Sequence, residues 1–521
     1  MNEIESGFAR VSAAQPGLPH AHLVSIECDI VRGLHAFTIV GLPDKAVEEA
    51  KDRIAAAIKN TPSTSSGQAG DFESPKRSNK KIVFSLAPAE LKKEGAVFDL
   101  PLALSFLLAS EQILFDPKEK LFAGELALDG TVRPIRGALS IALRARDGGY
   151  TELYLPQENA EEASLVSGIE IYPVQSLGET LAHLDEESDF AIAAYRTSRR
   201  ETHTYEEGVS LSDIRGQETA KRGLEIAAAG RHNIALFGPP GTGKTMLARA
   251  AAALLPDLSE SEIIEVTAIH SYAGVADRAV IRPPFRAPHH TSSYASLIGG
   301  GSVPRPGEVT LAHRGLLFLD EFPEFHRDVV NALREPLEDA QVSVARARGS
   351  ATFPANFMLV AALNPCPCGK YGTRECRCMP HAIDKYKRKI SGPVADRIDL
   401  WVHVGEMPPE TLAMRKRERD NQTREMRERI TKARERQQSR FEGLKQVTTN
   451  ADMGPKEIES LAQLTPKAEE TLQGAARSMK LSARGYHRTI KLARTIADLV
   501  ASDTIEPSHM LEALQYRQRE L

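Results

Sequence analysis

One stretch of this sequence, residues 234–245, constrains the fold more than any other. An apolar run, IALF, opens into GPPGTGKT, which then enters an Ala- and Leu-rich helical stretch starting at Met246. This is the P-loop pattern G-x-x-x-x-G-K-[ST] in the strand-to-helix context that it requires. The glycines let successive backbone N–H groups approach a phosphate at the start of a helix. The stretch therefore predicts a site for a nucleoside triphosphate.

The residues of this loop have separate predicted roles. Lys244 would reach the β- and γ-phosphates, and the Thr245 hydroxyl would bind Mg²⁺. An ordinary Gly-rich loop is the alternative, and the coincidence of strand, complete motif and helix disfavours it. The other predicted phosphate-binding residues are Gly238, Pro239, Pro240, Gly241, Thr242 and Gly243.

Two later apolar runs end in polar residues suited to ATP hydrolysis. The run LLFL ends in Asp320, which is placed to hold Mg²⁺, and Glu321, which can polarise the attacking water. An acidic strand end is common by itself, but downstream of a P-loop it predicts a hydrolytic role. The run FMLVAAL ends in Asn364, the place of a polar sensor that positions water against the γ-phosphate.

Length and composition bound the class of protein. A chain of 521 residues is longer than one hydrophobic core usually supports, so several domains are expected. A net charge of −4 argues against a uniformly basic nucleic-acid coat. No apolar run approaches the ~20 residues of a membrane span, and the opening residues MNEIESGFAR lack signal-peptide features. A cytoplasmic protein without a membrane segment is therefore expected.

The region before the P-loop alternates strand-like and helical patterns. Asp44 is placed to cap the first helix. Residues 61–80 are rich in Ser, Gly and Pro and predict a disordered insertion, and the polar residues 186–210 predict a linker. We expect strands within 23–26, 37–40 and 81–86, and helices over 45–58, 100–108 and 137–146.

Two stretches of this region, KKEGAVFDLPLAL (92–104) and LDGTVRPIRGALSIALRA (128–145), resemble the N-terminal Lon-protease-like domain of magnesium-chelatase-like ATPases. True Lon proteases carry a Ser–Lys dyad in these stretches. Here apolar residues around Phe98, and the pair Ala138-Leu139, stand in the approximate places of the serine and the lysine. Because a dyad needs both groups within hydrogen-bond reach, we expect a non-proteolytic scaffold or DNA-guiding surface. Ser140 and Ser85 are the candidate nucleophiles of the proteolytic alternative.

Three further segments resemble parts of AAA+ ATPases. Ile214 and Gln217 match a segment that lines the adenine pocket, and a plain helix start capped by Ser212 or Asp213 is compatible with that role. Arg397, within SGPVADRIDL, resembles the arginine finger that a neighbouring subunit inserts. The alternative for Arg397 is a surface ion pair with an adjacent acid, Asp396 or Asp399.

The C-terminal stretch LSARGYHR (481–488) leads into an amphipathic pattern and resembles the helical lid of AAA+ proteins. Arg484 matches the second sensor, which reaches the γ-phosphate from the lid. Arg488 is a less favoured substitute.

Two insertions resemble those of the helix-2-insert and pre-sensor-hairpin branch of AAA+ proteins, where they line a central pore. The first, 285–315, is a polar Gly-rich loop with His289 and His290, and adjacent histidines rarely make a complete metal site. The second, 341–351, alternates like a hairpin strand, with Arg346 and Arg348 facing one way.

DNA contacts have modest support from the residues themselves. Arg346 and Arg348 are candidates for salt-sensitive phosphate contacts in a pore. The basic stretch 411–440 predicts either a DNA-tracking helix or a solvated helix with i,i+4 ion pairs, and the second is slightly favoured.

Four of the five cysteines form a cluster at 366–378. Four thiolates in two close pairs can hold tetrahedral Zn²⁺, although the C-x-C pairs are tighter than the usual spacing. A reduced cluster without metal therefore stays open, and a disulfide framework is disfavoured. The candidate ligands are Cys366, Cys368, Cys376 and Cys378.

GPPGTGKT, FRAPHH, LAHRGLLFLDE, NPCPCG and LSARGYHRTIKLARTIADL together resemble the ComM/YifB family of magnesium-chelatase-like AAA+ proteins over almost the whole chain. The resemblance implies an α/β protein with a Lon-protease-like (ribosomal protein S5 domain 2-like) α+β domain at 1–185. A parallel-sheet AAA+ core at 211–405 and a helical region with a C-terminal lid at 406–521 would follow.

The same resemblance implies a homo-oligomeric, hexameric ring that hydrolyses ATP with Mg²⁺ between subunits. It would act on DNA as a branch-migration helicase in recombination and natural transformation. A metal-chelatase motor subunit is the first alternative, and such subunits generally lack the N-terminal domain. An ATP-dependent protease is the second, and the missing dyad disfavours it.

Overall fold

The computed structural model describes residues 7–18, 20–61, 72–77, 80–186, 188–196, 209–276, 278–301, 304–346, 349–371, 375–390, 394–408, 410, 421–444 and 447–517. The chain divides into two compact units, one of residues 1–202 with 260–280 and the other of 203–259 with 281–521. Within the described ranges, no helix is both long enough and apolar enough to cross a bilayer.

Strands are numbered in chain order. Those of the first unit are β1 (Phe8–Gln15), β2 (His22–Arg32), β3 (Ala36–Val40), β4 (Lys80–Ala87), β5 (Lys120–Phe122), β6 (Glu125–Leu126), β7 (Val132–Arg133), β8 (Glu152–Pro156) and β9 (Glu170–Val174). Those of the second unit are β10 (Ile234–Phe237), β11 (Phe285–Arg286), β12 (Gly299–Gly300), β13 (Arg305–Pro306), β14 (Leu316–Leu319), β15 (Gln341–Arg346), β16 (Gly349–Pro354), β17 (Met358–Leu363) and β18 (Leu400–His403).

Helices are numbered in the same way. The first group is α1 (Lys45–Asn60), α2 (Asp99–Ala109), α3 (Ala138–Asp147), α4 (Ala160–Ala163), α5 (Leu177–Leu184), α6 (Glu218–Gly230), α7 (Lys244–Leu254), α8 (Glu260–Ala273) and α9 (Tyr294–Ile298). The second is α10 (Glu308–Leu311), α11 (Arg327–Ala332), α12 (Arg334–Asp339), α13 (Pro380–Ile390), α14 (Gln422–Arg440), α15 (Pro455–Leu461), α16 (Pro466–Ser478), α17 (Ala483–Leu499) and α18 (Pro507–Gln515).

The first unit is built on a seven-stranded mixed sheet in the order β3-β4-β2-β1-β5-β8-β9. Helix α1 begins where the sequence predicts, because the Asp44 carboxylate accepts a hydrogen bond from the Val47 N–H at 2.9 Å. Every residue of α2 is buried, as expected of a helix that is apolar on all sides. The predicted helices at 45–58, 100–108 and 137–146 are confirmed. The first two are slightly longer than expected, and the third is shifted by one residue.

Residues 72–77 differ from the predicted disordered insertion, because they pack on this unit. Ser74 is buried and its hydroxyl donates to the Ala55 carbonyl at 2.9 Å. Part of the predicted linker is ordered in the same way, since the Tyr195 N–H donates to the Ile171 carbonyl at 2.7 Å. Residues 62–71, 78–79, 187 and 197–208 of these two stretches lie outside the described residues.

Helix α8 packs with the first unit, although its residues lie within the range 211–405 expected for the ATPase core. Its Ser271 hydroxyl accepts a hydrogen bond from the Gly137 N–H at 3.0 Å, and Ala268 joins the hydrophobic core of the first unit. The chain passes from the second unit to the first after α7 and returns to the second unit before β11. The two units are therefore not contiguous in sequence.

Buried core residues occupy the places where a Lon-type dyad would lie. Phe98, Ala138 and Leu139 are fully buried, and the Ser140 hydroxyl donates to the Gly137 carbonyl at 2.8 Å. The hydroxyl of this serine is therefore engaged by the start of its own helix. The absence of proteolysis stays a prediction.

Beside Phe98, the fully buried Asp99 carboxylate forms an ion pair with Arg53. The Arg53 Nε and Nη2 atoms donate to Asp99 at 2.6 and 2.9 Å, and the Leu126 N–H donates at 3.2 Å. Burial raises the pKa of Asp99 to about 6, against the lowering effect of its Arg53 hydrogen bonds. Ionisation of Asp99 therefore lowers the stability of the fold as pH rises through about 6.

We expect Arg53→Met to lower the local free energy of unfolding by about 3 kcal/mol at pH 8, because a buried carboxylate loses its cation. At pH 5 the loss should shrink, since Asp99 then takes up a proton. Hydrogen exchange of the α2 amides, corrected for the intrinsic rate at each pH, measures both values. Arg10→Met, which removes an exposed pair with Glu27, is the control and should cost under about 1 kcal/mol. Equal losses at the two pH values would show that the charge of Asp99 is not what makes Arg53 necessary.

The second unit contains a five-stranded parallel sheet in the order β11-β14-β17-β10-β18. The carboxyl ends of β14, β17 and β10, which precede the three predicted nucleotide motifs, therefore meet at one edge. The C-terminal helices α14 to α18 share a hydrophobic core with α6, α7 and this sheet. The expected parallel α/β core with helices at the C-terminus is confirmed.

Candidate functional site

The three predicted nucleotide motifs lie together at the carboxyl edge of the parallel sheet. Lys244, after β10, donates from Nζ to Asn364 Oδ1 at 3.1 Å, and Asn364 directly follows β17. Thr245 donates from Oγ1 to Asp320 Oδ2 at 2.9 Å, and Asp320 directly follows β14. Residues from three strands therefore form one polar cluster.

The Lys244 ammonium group is buried in this cluster. Besides Asn364 it donates to the carbonyls of Gly238 and Pro239 at 2.8 and 2.7 Å. Burial lowers the pKa of Lys244, and the nearby Asp320 carboxylate partly offsets that effect. A desolvated cation at the start of a helix is suited to bind an anionic phosphate group.

Two glycines of the loop are required by its conformation. Gly243, directly before α7, has φ 89°, a value that favours glycine. A Cβ atom on Gly238 would lie 2.0 Å from the Val404 carbonyl oxygen. The glycines therefore allow the loop to turn tightly beside β18, as the P-loop pattern predicts.

Glu321 has an uncommon backbone conformation and two close polar neighbours. Its backbone adopts φ 50°, a left-handed conformation that is uncommon for glutamate, and its N–H donates to Asp320 Oδ1 at 2.9 Å. His290 Nδ1 lies 3.2 Å from Glu321 Oε2. From the sequence, His290 was considered only as a metal ligand. The missed signal is its position four residues after β11, the strand that pairs with β14.

His289 and His290 have separate polar partners rather than a common one. The His289 Nδ1 atom lies 2.8 Å from Thr291 Oγ1. Among the residues that the structure describes, the cysteine cluster is the group with metal-ligand geometry.

Ile214 and Gln217, the predicted adenine-pocket residues, flank the start of α6. Ile214 is buried in the core of the second unit, and Gln217 Nε2 donates to the Gly405 carbonyl at 2.7 Å. Gln217 itself occupies the N-cap position of α6 without a side-chain cap, so the suggested capping by Ser212 or Asp213 is wrong. Contact of Ile214 and Gln217 with adenine stays a prediction.

Arg397 forms an ion pair, but its partner is neither of the adjacent acids. Its guanidinium group is buried and bonds to Glu338, so the surface pair with Asp396 or Asp399 is corrected. Asp399 instead faces His232, with 3.3 Å between Oδ2 and Nδ1. Burial lowers the pKa of Arg397, and nearby arginines, Arg484 foremost, lower it further.

Arg484 approaches the same carboxylate. It lies in the first turn of α17 with its Nη2 atom 3.5 Å from Glu338 Oε1, and its side chain is mostly exposed. Arg488, the less favoured candidate for the second sensor, donates a hydrogen bond from Nη1 to the Ile398 carbonyl at 2.9 Å. Arg397 and Arg484, the two arginines with predicted catalytic roles, therefore share Glu338 as an ion-pair partner.

Arg397 and the P-loop lie at opposite ends of two neighbouring parallel strands. Strand β18 pairs in parallel with β10 from Ile234↔Leu400 to Phe237↔His403. Arg397 precedes the amino end of β18, whereas Gly238 follows the carboxyl end of β10. A four-residue strand separates those edges by roughly 13 Å. Arg397 therefore lies away from the P-loop of its own chain.

The predicted second insertion does form a β-hairpin, in which β15 and β16 pair from Gln341↔Pro354 to Arg346↔Gly349. Residues 347–348, and with them Arg348, lie outside the described residues, as does the side chain of Arg346. The direction in which these arginines point therefore stays a prediction.

The described part of the basic stretch 411–440 is mostly α14, and its arginines have protein partners. Arg427 pairs with Asp257 at 2.6 Å and Arg429 pairs with the buried Glu225 at 2.6 Å. Arg424 and Glu428 form an i,i+4 pair at 3.0 Å. These contacts favour the ion-paired helix over the DNA-tracking helix for residues 421–440.

The predicted cysteine cluster is also present. The Sγ atoms of Cys366, Cys368, Cys376 and Cys378 all lie within 4.8 Å of one another. Hydrogen bonds from the backbone N–H groups of Lys370 and Arg377 lower the pKa of the Cys368 thiol to about 6.

Models of three related families match successive parts of the chain. They are described as magnesium chelatase subunit ChlI at residues 210–412, subunit ChlI of Mg-chelatase at 26–159, and the C-terminal part of ChlI at 420–517. The first match covers the P-loop, the acidic strand end at Asp320, the predicted sensor Asn364 and Arg397.

Whole-chain relatives extend this result. Competence protein ComM of Haemophilus influenzae is 40% identical over 501 residues, 95% of this chain and 95% of that protein. YifB of Escherichia coli is 40% identical over 497 residues, 95% of this chain and 94% of that protein. Lon protease 2 of Bacillus subtilis is 29% identical over 224 residues, 36% of this chain and 40% of that protein. The chain belongs to the ComM/YifB family of magnesium-chelatase-like proteins.

Proposed function

We propose that this protein is an Mg²⁺-dependent ATPase whose hydrolysis site is shared between neighbouring copies in a ring, and that the ring moves branched DNA. The ATPase activity is supported by the contacts of Lys244 with Asn364 and of Thr245 with Asp320. They join the residues with predicted phosphate-binding, metal-binding and sensor roles at one edge of one sheet.

The residues present fit ATP and Mg²⁺. A threonine hydroxyl and a carboxylate at 2.9 Å offer the hard oxygen ligands that Mg²⁺ prefers, and bound Mg²⁺ would neutralise charge on the phosphates. Lys244 would exchange its loop carbonyl partners for phosphate oxygens. Glu321 would polarise the attacking water, and Asn364 would orient it.

The positions of Arg397 and Arg484 support a shared site. Both lie at Glu338, on the edge of the sheet opposite the P-loop of their own chain. In a ring, that edge can face the nucleotide of a neighbouring copy. The γ-phosphate would then take the place of the Glu338 carboxylate as the anion bound by both guanidinium groups.

DNA as the substrate is supported by family membership and by two arginines of the segment 341–351, Arg346 and Arg348. If both arginines contact phosphates, Arg346→Ala combined with Arg348→Ala should weaken junction binding. It should also flatten the slope of log affinity against log salt by roughly 0.9 for each lost contact. Arg424→Ala, on the ion-paired helix α14, is the matched control and should leave that slope unchanged.

The decisive measurement is ATP turnover with and without a labelled four-way DNA junction, together with strand displacement from that junction. We expect the junction to stimulate turnover and to be resolved only when ATP is hydrolysed. Glu321→Gln should bind ATP and the junction without displacing a strand.

Remodelling of a protein partner is the second candidate, because the matching family models are described as magnesium chelatase subunits. If the junction neither binds nor stimulates hydrolysis by an active ATPase, the DNA proposal fails and partner remodelling takes its place.

A further inference from the structure

The cysteine cluster directly follows the sensor strand of the nucleotide site. Cys366 lies two residues beyond Asn364 and is fully buried, and Cys378 lies two residues before α13 begins at Pro380. The Sγ distances are 3.4 Å from Cys366 to Cys368, 3.9 Å from Cys366 to Cys376 and 3.7 Å from Cys368 to Cys376. The four thiols thus converge from two short segments.

These distances fit one tetrahedral metal ion. With Zn–S bonds of about 2.3 Å, the sulfur atoms of a tetrahedron lie about 3.8 Å apart. The observed separations surround that value, and they are far from the ~2.05 Å of a disulfide. The tight C-x-C spacing that weakened the prediction therefore does not prevent the four sulfur atoms from meeting.

The polar surroundings also suit a site of thiolates. The Cys368 Sγ atom accepts hydrogen bonds from the backbone N–H groups of Lys370 and Arg377. Backbone donors of this kind stabilise metal-bound thiolates and fix their orientation. The Lys387 ammonium lies 5.0 Å from the Tyr371 ring centroid and adds positive charge beside this segment.

The cluster also packs against the phosphate-binding loop. The Gly369 N–H donates to the Cys366 carbonyl at 2.9 Å, which closes a tight turn. A Cβ atom on Gly369 would lie 2.5 Å from Pro240 Cδ, so the backbone of this turn contacts the P-loop directly. A group that holds the cysteine turn rigid would also support Pro240, which the turn contacts. It would restrain Asn364 as well, because Asn364 lies only two residues before Cys366.

We propose that Cys366, Cys368, Cys376 and Cys378 bind one structural Zn²⁺ ion per chain, and that the zinc-bound turn holds Pro240 and Asn364 in position for ATP. Four protein ligands leave no open position for substrate, so the ion is structural. Binding is not a redox step, since four thiols lose four protons and form four Zn–S bonds. The effect on ATP rests on the proposed function, whereas the metal site does not.

Metal analysis of the full-length, reduced chain tests the site. We expect one Zn²⁺ per chain, and we expect Co²⁺ exchanged into the site to show thiolate charge-transfer bands and tetrahedral ligand-field bands. A mercurial that titrates the thiols of the native protein should release that one ion, which tests the ligands without a variant that has to fold.

Substitutions identify the ligands. Cys368→Ser with Cys376→Ser should reduce the bound zinc by at least about tenfold, as expected from loss of half the ligands. Cys28→Ser is the matched control, because Cys28 is a buried thiol of strand β2 in the other compact unit, and it should keep one ion. Less than about 0.1 Zn²⁺ per folded chain, iron in its place, or the same zinc content in the double variant would overturn the proposal.

Affinity for a fluorescent ATP analogue tests the structural effect. Removing the zinc from the wild-type chain should weaken binding about tenfold, and adding Zn²⁺ back should restore it. Unchanged binding after complete removal would overturn the link to Pro240 and Asn364. A zinc-bound chain that hydrolyses no ATP would count against the proposed function alone, whereas an active ATPase without zinc would count against the metal site alone.

Discussion

Replacing Arg397 with alanine should leave ATP binding unchanged and lower ATP turnover by about 10³-fold. The expected size follows from arginine fingers of GTPases, which contribute ~10³–10⁵ in rate by stabilising transition-state charge. Binding should survive because Arg397 precedes β18, at the edge of the sheet opposite the P-loop of its own chain. The measurements are the Kd for ATP and kcat of the assembled protein.

Glu338→Gln separates the catalytic role of Arg397 from its structural one. This variant removes the charge of the Arg397 partner within the chain but keeps both arginines. If the Arg397→Ala defect came only from the lost ion pair, Glu338→Gln would reproduce it. We expect Glu338→Gln to keep turnover within about tenfold of wild type, since the glutamine amide oxygen can still accept from Arg397 and the side chain of residue 338 is half-exposed to water. Normal turnover by Arg397→Ala would remove the case for a shared site.

Replacing Lys244 with alanine should weaken ATP binding about 10- to 100-fold and abolish turnover. Hydrogen bonds to charged groups contribute about 1.5–3 kcal/mol, and Lys244 is the buried cation at the carboxyl edge of the sheet. Equilibrium binding of ATP and phosphate release measure the two effects. Met246→Ala, which changes an exposed side chain two residues along α7, is the control and should bind ATP normally. Wild-type affinity in the Lys244→Ala variant would contradict the assignment of the phosphate site.

The two variants together test whether the site is shared. A Lys244→Ala copy retains Arg397, and an Arg397→Ala copy retains its P-loop. In a mixed ring some interfaces would join the intact P-loop of one copy to the intact Arg397 of another. We expect mixtures to regain turnover that neither variant shows alone. Mixtures that stay inactive, despite forming mixed assemblies, would place Arg397 outside the hydrolysis site.

Much of the nucleotide site could be predicted from the sequence because its chemistry lies in contiguous motifs. The P-loop needs glycines, Lys244 and Thr245 at fixed spacing between a strand and a helix. Asp320 and Asn364 end apolar runs, and parallel strands bring such ends to one edge. The contacts of Lys244 and Thr245 agree with that expectation.

The placement of Glu338 could not be predicted in the same way. It lies 59 residues from Arg397 and 146 from Arg484. No sequence pattern indicates which distant residues a glutamate on a short helix will contact. His290 beside Glu321 is a similar case, because proximity of β11 to β14 depends on strand order. Helix α8 packs with the N-terminal unit although both its neighbours in sequence belong to the other one.

The sequence by itself determined the nucleotide chemistry, the parallel α/β core and the cysteine set, because short-range spacing and apolar periodicity encode them. Tertiary structure alone decided which distant charges meet. It buried Asp99 against Arg53, placed Arg397 and Arg484 on one carboxylate, and brought four thiols within 4.8 Å beside the P-loop. Such contacts depend on how the whole sheet and its helices pack, since buried charges and thiols are matched in space and leave no periodic trace along the chain.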